Sequence, residues 1–209
     1  MTKLLYAIVA LVALATGALL FAKLSQNELP EYGLYYQEPR DINEFRLTDH
    51  QNNTFTAQHL KGKWSWIFFG YTSCPDVCPT TLQELNYVYD DFKAVSRDTQ
   101  VLLISIDPQR DTVDALANYI QYFNKEFIAL TAGHEVLFPL ARNLGLMYAI
   151  NDQLDGKPYT VDHSASMILI NPKGQIAAIF QPNQVLGKLP TIEGDKLVSD
   201  FKKIVNLFK

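Results

Sequence analysis

Cysteine is almost absent from this sequence: its 209 residues include two, Cys74 and Cys78, both in one short turn. That excludes a disulfide framework. Closing a five-residue loop contributes only about 2 kcal/mol in the chain-entropy model, and a chain this long can bury most of its surface without staples. A pair so close points to chemistry. Neither a GxxxxGK(S/T) nor a GxGxxG loop occurs, so nucleotide binding has no support. Excess positive charge is lacking as well. Of 18 basic residues, Lys3 and Lys23 precede the first acidic one, Glu28, which leaves 16 basic against 22 acidic, net −6. Nucleic acid selects basic faces and is not an expected partner. No internal repeat or low-complexity tract interrupts the chain.

Charge is also missing from one long stretch. Leu4 to Ala22 is apolar apart from Thr16 and Gly17, and Lys3 and Lys23 flank it. As a helix it spans about 28 Å, close to the hydrocarbon thickness of a bilayer. Residues 1–22 are therefore expected as an uncleaved membrane anchor. The alternative is a cleaved signal peptide, but its apolar region runs shorter, and Leu20-Phe21-Ala22 is a poor cleavage signal. No lipobox cysteine is present, and the balanced lysines do not set orientation. Residues 23–41, with Pro30, Gly33 and Pro39 and no apolar period, read as a linker.

From residue 42 to 209 short apolar runs alternate with helical patterns, as in an α/β sheet. Asn43–Leu47 and Asn53–Thr56 suggest a hairpin. Trp64–Gly70, an aromatic and β-branched run, and Val101–Ile106 are expected as buried strands. Helices are expected over 79–95, from a capping box at Asp111 to about Phe123, over 134–144 up to Gly145, and over Glu193–Phe208. Phe127–Leu130 reads as a short strand, and Leu146–Ile150 with Tyr159–Val161 as a β excursion. Met167–Ile170 and Gln175–Phe180 flank the turn signal Asn171-Pro-Lys-Gly174. A buried strand, a Cys-bearing turn, a long helix, a second buried strand, then a late hairpin and a final helix: this is the thioredoxin-like order.

The turn reads Gly70-Tyr-Thr-Ser-Cys74-Pro-Asp-Val-Cys78-Pro79. Cysteines at i and i+4 share a face if the turn is helical, so one ion can bridge both sulfurs. Pro79 suits the first turn of a helix, and exposed N–H groups there are expected to favour both thiolates. Such a pair can chelate a soft metal or exchange disulfides. Of the four histidines, His50 and His59 read as surface residues and His134 as a turn or cap residue. His163, in Asp162-His163-Ser164, stands ahead of the strand Met167–Ile170, where a thioredoxin-like fold carries a cis-proline beside the cysteine turn. No proline lies between Pro158 and Pro172. Two thiolates and one imidazole suit Cu(I), and Cu(II) where a further donor joins. Structural zinc wants four protein ligands, and no second cysteine pair is present.

The runs FFGYTSCPDVCPTTL, SIDPQRDT and the late YTVDHS resemble the Sco/SenC family in order and spacing, over residues 42–209. The resemblance implies a thioredoxin-fold copper metallochaperone that helps assemble the copper A centre of cytochrome c oxidase. It implies Cys74, Cys78 and His163 as copper ligands, the copper-bearing oxidase subunit as partner, and a thiol reductant or another copper chaperone upstream. It also places the domain in the periplasm or mitochondrial intermembrane space. The lack of a transit peptide before the apolar run favours a single-pass protein of the bacterial inner membrane. Asp107, Pro108, Arg110 and Asp111 match the family's DPxRD run, read either as a strand end with helix cap or as a docking element. Asn52-Asn53 stands where the family often has Gly. The rival reading is a thiol–disulfide oxidoreductase acting on the oxidase's copper-site cysteines, although those enzymes use CxxC and cis-Pro. A peroxiredoxin-like peroxidase needs Thr where Tyr71 stands.

Overall fold

The run Trp64–Gly70 has no exposed residue and is apolar apart from Ser65, whose hydroxyl accepts from Gln100 Nε2 at 2.8 Å, as suits a strand sheathed on both faces. It is β4 in a computed structural model that describes residues 2–25, 28–151, 159–185, 187 and 189–208. Before it come helix α1 (Thr2–Ser25) and strands β1 (Leu34–Asp41), β2 (Arg46–Asp49) and β3 (Thr54–Thr56). After it follow α2 (Val77–Tyr87), α3 (Tyr89–Val95), β5 (Thr99–Ser105), α4 (Val113–Phe123), β6 (Ile128–Thr131) and α5 (His134–Asn143). The chain ends with β7 (Tyr148–Asn151), β8 (Thr160–His163), β9 (Met167–Ile170), β10 (Gln175–Phe180) and α6 (Gly194–Leu207).

Eight strands form one sheet in the order β1-β10-β9-β4-β5-β6-β2-β3. β4, β5 and β6 are parallel, whereas β9 runs antiparallel to β4 and pairs with β10 through the Asn171–Gly174 turn. This is the thioredoxin-like arrangement. β7 and β8 pair only with each other, outside that sheet. Trp66, fully buried, anchors one side of the core against Phe92 of α3, Phe180 of β10 and Phe201 of α6, at centroid distances of 4.8, 5.2 and 5.6 Å.

Three expectations need correction. Leu34–Asp41, expected within the linker 23–41, is the edge strand β1, antiparallel to β10. Its pattern is masked because an edge strand keeps most side chains in water and its register shifts between Tyr35 and Arg40, around Pro39. Residues 28–33 are not free either. Asp200 of α6, 2% exposed, accepts the backbone N–H groups of Glu31, Tyr32 and Gly33 at 3.0, 2.7 and 2.9 Å. Lys203 pairs with Glu31 at 2.6 Å and with Glu28 at 3.8 Å. The packed body thus begins at about residue 28, not 42; residues 26 and 27 of the expected linker lie outside the described residues. Secondly, the helix expected over 79–95 is two helices jointed at Val88, where the first residue of α6, Gly194, packs against the Val88 side chain. Thirdly, the cap of α4 is Thr112, whose hydroxyl accepts from Ala115 N, and not Asp111. Within α1, Thr2–Phe21 is long and apolar enough to cross a membrane and is not buried against the rest of the chain, so it is a candidate anchor.

Candidate metal centre

The site forms where β4 stops. Gly70 ends the strand in contact with the second cysteine: a Cβ here would sit 3.0 Å from Cys78 Sγ and 2.9 Å from the Phe68 ring. Glycine therefore admits the sulfur to the core. The chain turns through Tyr71–Cys74, closed by Cys74 N–H donating to the Tyr71 carbonyl at 3.2 Å. α2 then begins with Cys78 in its first turn and Pro79 just behind it. Cys74 precedes the helix, half-buried, and its Sγ accepts the Cys78 backbone N–H at 3.4 Å. The two sulfurs meet because one caps the turn that carries the other.

This geometry divides the pair. The Cys78 thiol hydrogen-bonds to the Cys74 sulfur, with the His163 side chain and the Cys78 and Asp76 N–H groups adding to it, and the Cys74 thiol is lowered to about 4 against the opposition of burial. Cys78 is pushed up by that same hydrogen bond, by burial and by the Cys74 charge. The expectation of two easily ionised thiols therefore holds for one. The helix-terminal N–H groups reach Cys74, whereas Cys78 is fully buried.

His163 arrives from the far side of the turn. β8 carries it, paired to β7 with His163 opposite Tyr148. Its Nε2 lies 3.4 Å from Cys78 Sγ, and its ring meets Phe68 and Tyr71 edge-on, each at 5.9 Å. Nδ1 lies 3.1 Å from the Ser164 carbonyl oxygen, an acceptor only, so this nitrogen is the donor there and the ring is turned with Nε2 towards the sulfurs. The junction before β9 faces the cysteine turn as expected, with a histidine and no cis peptide among the described residues.

The donor atoms of Cys74, Cys78 and His163 all lie within 4.8 Å of one another, the one such group among the described residues. Donors bound at about 2.0–2.3 Å around one ion stand roughly 3.5–4 Å apart, so small shifts bring these three onto a metal. The set, two sulfurs and one imidazole, is soft. Above it opens a cleft of about 580 Å³ lined by Tyr71, Cys74, Asp76, Val161, His163 and Ser166 among others. A fourth donor can approach from that side.

The other histidines have other duties. Nδ1 of His50 accepts from Ala129 N at 3.2 Å, and Nδ1 of His59 accepts from Thr56 N at 3.0 Å. His134 meets the Tyr148 hydroxyl at 2.9 Å. What the sequence reading left undecided was Asp107 and Asp111. Both are buried, 2% and 1% exposed, and both bond to loops of the site. Two carboxylates so close after a buried strand were the signal.

The SCO1/SenC family model matches residues 35–190. A putative copper-binding protein of Stutzerimonas stutzeri is 38% identical over 138 residues, 66% of this chain and 67% of its own length. The human mitochondrial SCO1 homologue is 36% identical over 147 residues, covering 69% of this chain; the match spans about half, 49%, of that relative. Among solved structures, Arabidopsis thaliana ScoI with copper bound superimposes with a TM-score of 0.69 at 31% identity, over 78% of this chain and 97% of its own. Yeast Sco1 with copper bound gives 0.65 at 28% identity, over 78% and 90%. With the family model covering most of the chain and relatives above 30% identity across two thirds of it, the chain belongs to the SCO1/SenC family.

Proposed function

We propose that this chain is a membrane-tethered copper metallochaperone that holds copper on Cys74, Cys78 and His163 and delivers it to the copper A centre of cytochrome c oxidase. The observation that carries the reading is the convergence of two sulfurs and an imidazole nitrogen beside an open cleft, with Cys74 and His163 in its wall and Cys78 buried behind them. Copper-bound structures of relatives support the choice of metal, and the family resemblance supports the oxidase subunit as acceptor. The Cys74 thiolate captures the cargo. Cys78 then gives up its proton as the charge on the metal replaces the repulsion that had held it neutral. His163 Nε2, its ring oriented by the Ser164 carbonyl, completes a three-donor site. The cleft leaves one side open, so an acceptor's ligand can bind before the last donor lets go.

In this reading α1 is a retained single-pass anchor in a bacterial inner membrane, the body from residue 28 onward is periplasmic, and a thiol reductant or second chaperone prepares the cysteines. The test is Cu(I) loading of anaerobically reduced protein against a competing chelator. Wild type should bind one equivalent, and Cys74→Ser and Cys78→Ser should each lose stoichiometric binding. Near-wild-type retention by either variant overturns the site.

A further inference from the structure

The five residues Asp107-Pro108-Gln109-Arg110-Asp111 follow β5 and contribute no metal donor, yet their contacts run to both halves of the site. They form a tight turn, with Arg110 N and Asp111 N both donating to the Asp107 carbonyl at 3.2 and 2.9 Å. From it the side chains diverge.

Asp111 reaches the cysteine half. Its carboxylate accepts the Thr72 hydroxyl at 2.5 Å, the Thr72 backbone N–H at 3.1 Å and the Ser105 hydroxyl at 2.6 Å. Thr72 stands two residues before Cys74. A buried carboxylate with three donors holds that loop harder than neutral groups would, since charge-assisted bonds are the stronger ones.

Asp107 and Arg110 reach the histidine half. Arg110 Nε pairs with the Asp107 carboxylate, and its Nη1 donates to the Tyr159 carbonyl at 3.2 Å. The guanidinium lies 4.0 Å over the Tyr159 ring and 5.6 Å from the Tyr71 ring. The Tyr159 hydroxyl donates back to Asp107 at 2.5 Å. Tyr159 is thus held at its main chain, its ring face and its hydroxyl. It immediately precedes β8, which ends in His163. The hold matters because β7 and β8 form a ribbon outside the eight-stranded sheet. An isolated two-stranded ribbon is marginal by itself, so the ladder of the main sheet cannot fix His163 relative to the cysteines.

We infer that the 107–111 turn is the positioning scaffold of the metal centre: Asp111, through Thr72, sets the thiol half, and the Asp107–Arg110 pair, through Tyr159, sets the imidazole half. Ser105 joins the two, because its hydroxyl donates to Asp111 while accepting the Asp107 N–H at 3.1 Å. The copper reading supplies what the site binds; the positioning itself is read without metal.

The test uses one metal-free probe for each half: the carboxamidomethylation rate of Cys74, and the imidazole ¹H–¹⁵N NMR signals of His163. Lysine lacks the planar fork that bonds and stacks at once, so Arg110→Lys should shift or broaden the His163 signals and change the Cys74 rate far less than Asp111→Asn does. Asp111→Asn should do the reverse, and Thr72→Ala reads the same bonds if Asp111→Asn does not fold. Tyr159→Phe, which loses only the hydroxyl, should follow Arg110→Lys in weaker form. In copper titrations Arg110→Lys should weaken Cu(II) binding about ten- to a hundredfold, the range for outer partners of metal ligands. Arg110 and Asp111 variants that disturb the two probes to the same extent as each other, or not at all, overturn the scaffold. Wild-type protein that takes up no copper while the probes separate as described would overturn the copper reading alone.

Discussion

Cys78 Sγ and His163 Nε2 lie 3.4 Å apart although 85 residues separate them in the chain. Gly70 makes room for the sulfur, and the β7–β8 ribbon brings the nitrogen. The site is therefore a junction between two independently held pieces, and its donors differ in readiness. One sulfur is half-buried with its thiol lowered, the other fully buried with its thiol raised.

That asymmetry predicts a pH profile. A thiol lowered to about 4 is ionised at any pH above that value, so the alkylation rate of Cys74 should stay nearly flat from about pH 8 to pH 5 and fall only below. Cys78, buried and pushed the other way, should remain unmodified throughout. Metal capture at neutral pH should accordingly release about one proton, from Cys78, and not two. Calorimetry in buffers of different ionisation enthalpy reads that number. A Cys74 rate that rises through the ordinary thiol range near pH 8.5 would contradict the arrangement.

A second prediction concerns redox state. Both cysteines are free thiols whose sulfurs lie within the 4.8 Å cluster, close enough to oxidise to a disulfide after a small shift. A disulfide sulfur is no thiolate ligand, so the bond and the cargo exclude each other. Oxidised protein, verified by thiol counting, should take up no copper until reduced. Equal affinity in both states would move the ligands elsewhere.

His163→Ala should separate the two copper states. Imidazole is the one nitrogen donor of the cluster and suits Cu(II), which is harder than Cu(I). The variant should lose the thiolate-to-Cu(II) charge-transfer band yet still form the Cys74–Cys78 disulfide. An unchanged visible spectrum would return His163 to a packing role between Phe68 and Tyr71.

The ligands and the fold order were legible in the sequence for different reasons. Cys74, Cys78 and Pro79 announce a strand–helix turn by local chemistry, and Trp64–Gly70 announces a buried strand by composition. His163 was legible through its place ahead of β9 and through the YTVDHS run of the family resemblance. What escaped depends on partners far along the chain. β1 is a strand because β10 lies beside it, although its residues alternate poorly and include Pro39. Asp111 looks like a helix cap because Thr112, the actual cap, adjoins it, while its carboxylate is taken by Thr72, 39 residues upstream. The break at Val88 marks the contact of α6, which nothing in residues 79–95 encodes.

Topology gives a fourth prediction. Thr2–Phe21 is long and apolar enough to span a bilayer, with Lys3 and Lys23 flanking the run. On the orientation proposed above, protease added to intact spheroplasts should remove the body and leave the N-terminal helix in the membrane fraction. Full protection of the body would reverse the orientation, and a mature N-terminus near residue 23 would instead identify a cleaved signal.

The last prediction concerns how closely the body is tied to that helix. Had residues 23–41 been a free linker, they could have extended to about 65 Å. The Asp200 clamp removes most of that reach, since Glu31, Tyr32 and Gly33 all donate to one buried carboxylate. Gly33 fits there because a side chain at this position would run into the Phe180 ring. Asp200→Ala leaves three N–H groups without their acceptor and should cost about 3 kcal/mol in denaturant unfolding. It should also expose Glu28 and Glu31 to a glutamate-specific protease under native conditions, where wild type resists. Asp200→Asn, which keeps one carbonyl acceptor, should fall between the two. If the three proteins are cleaved at these residues at the same rate, the segment is not clamped.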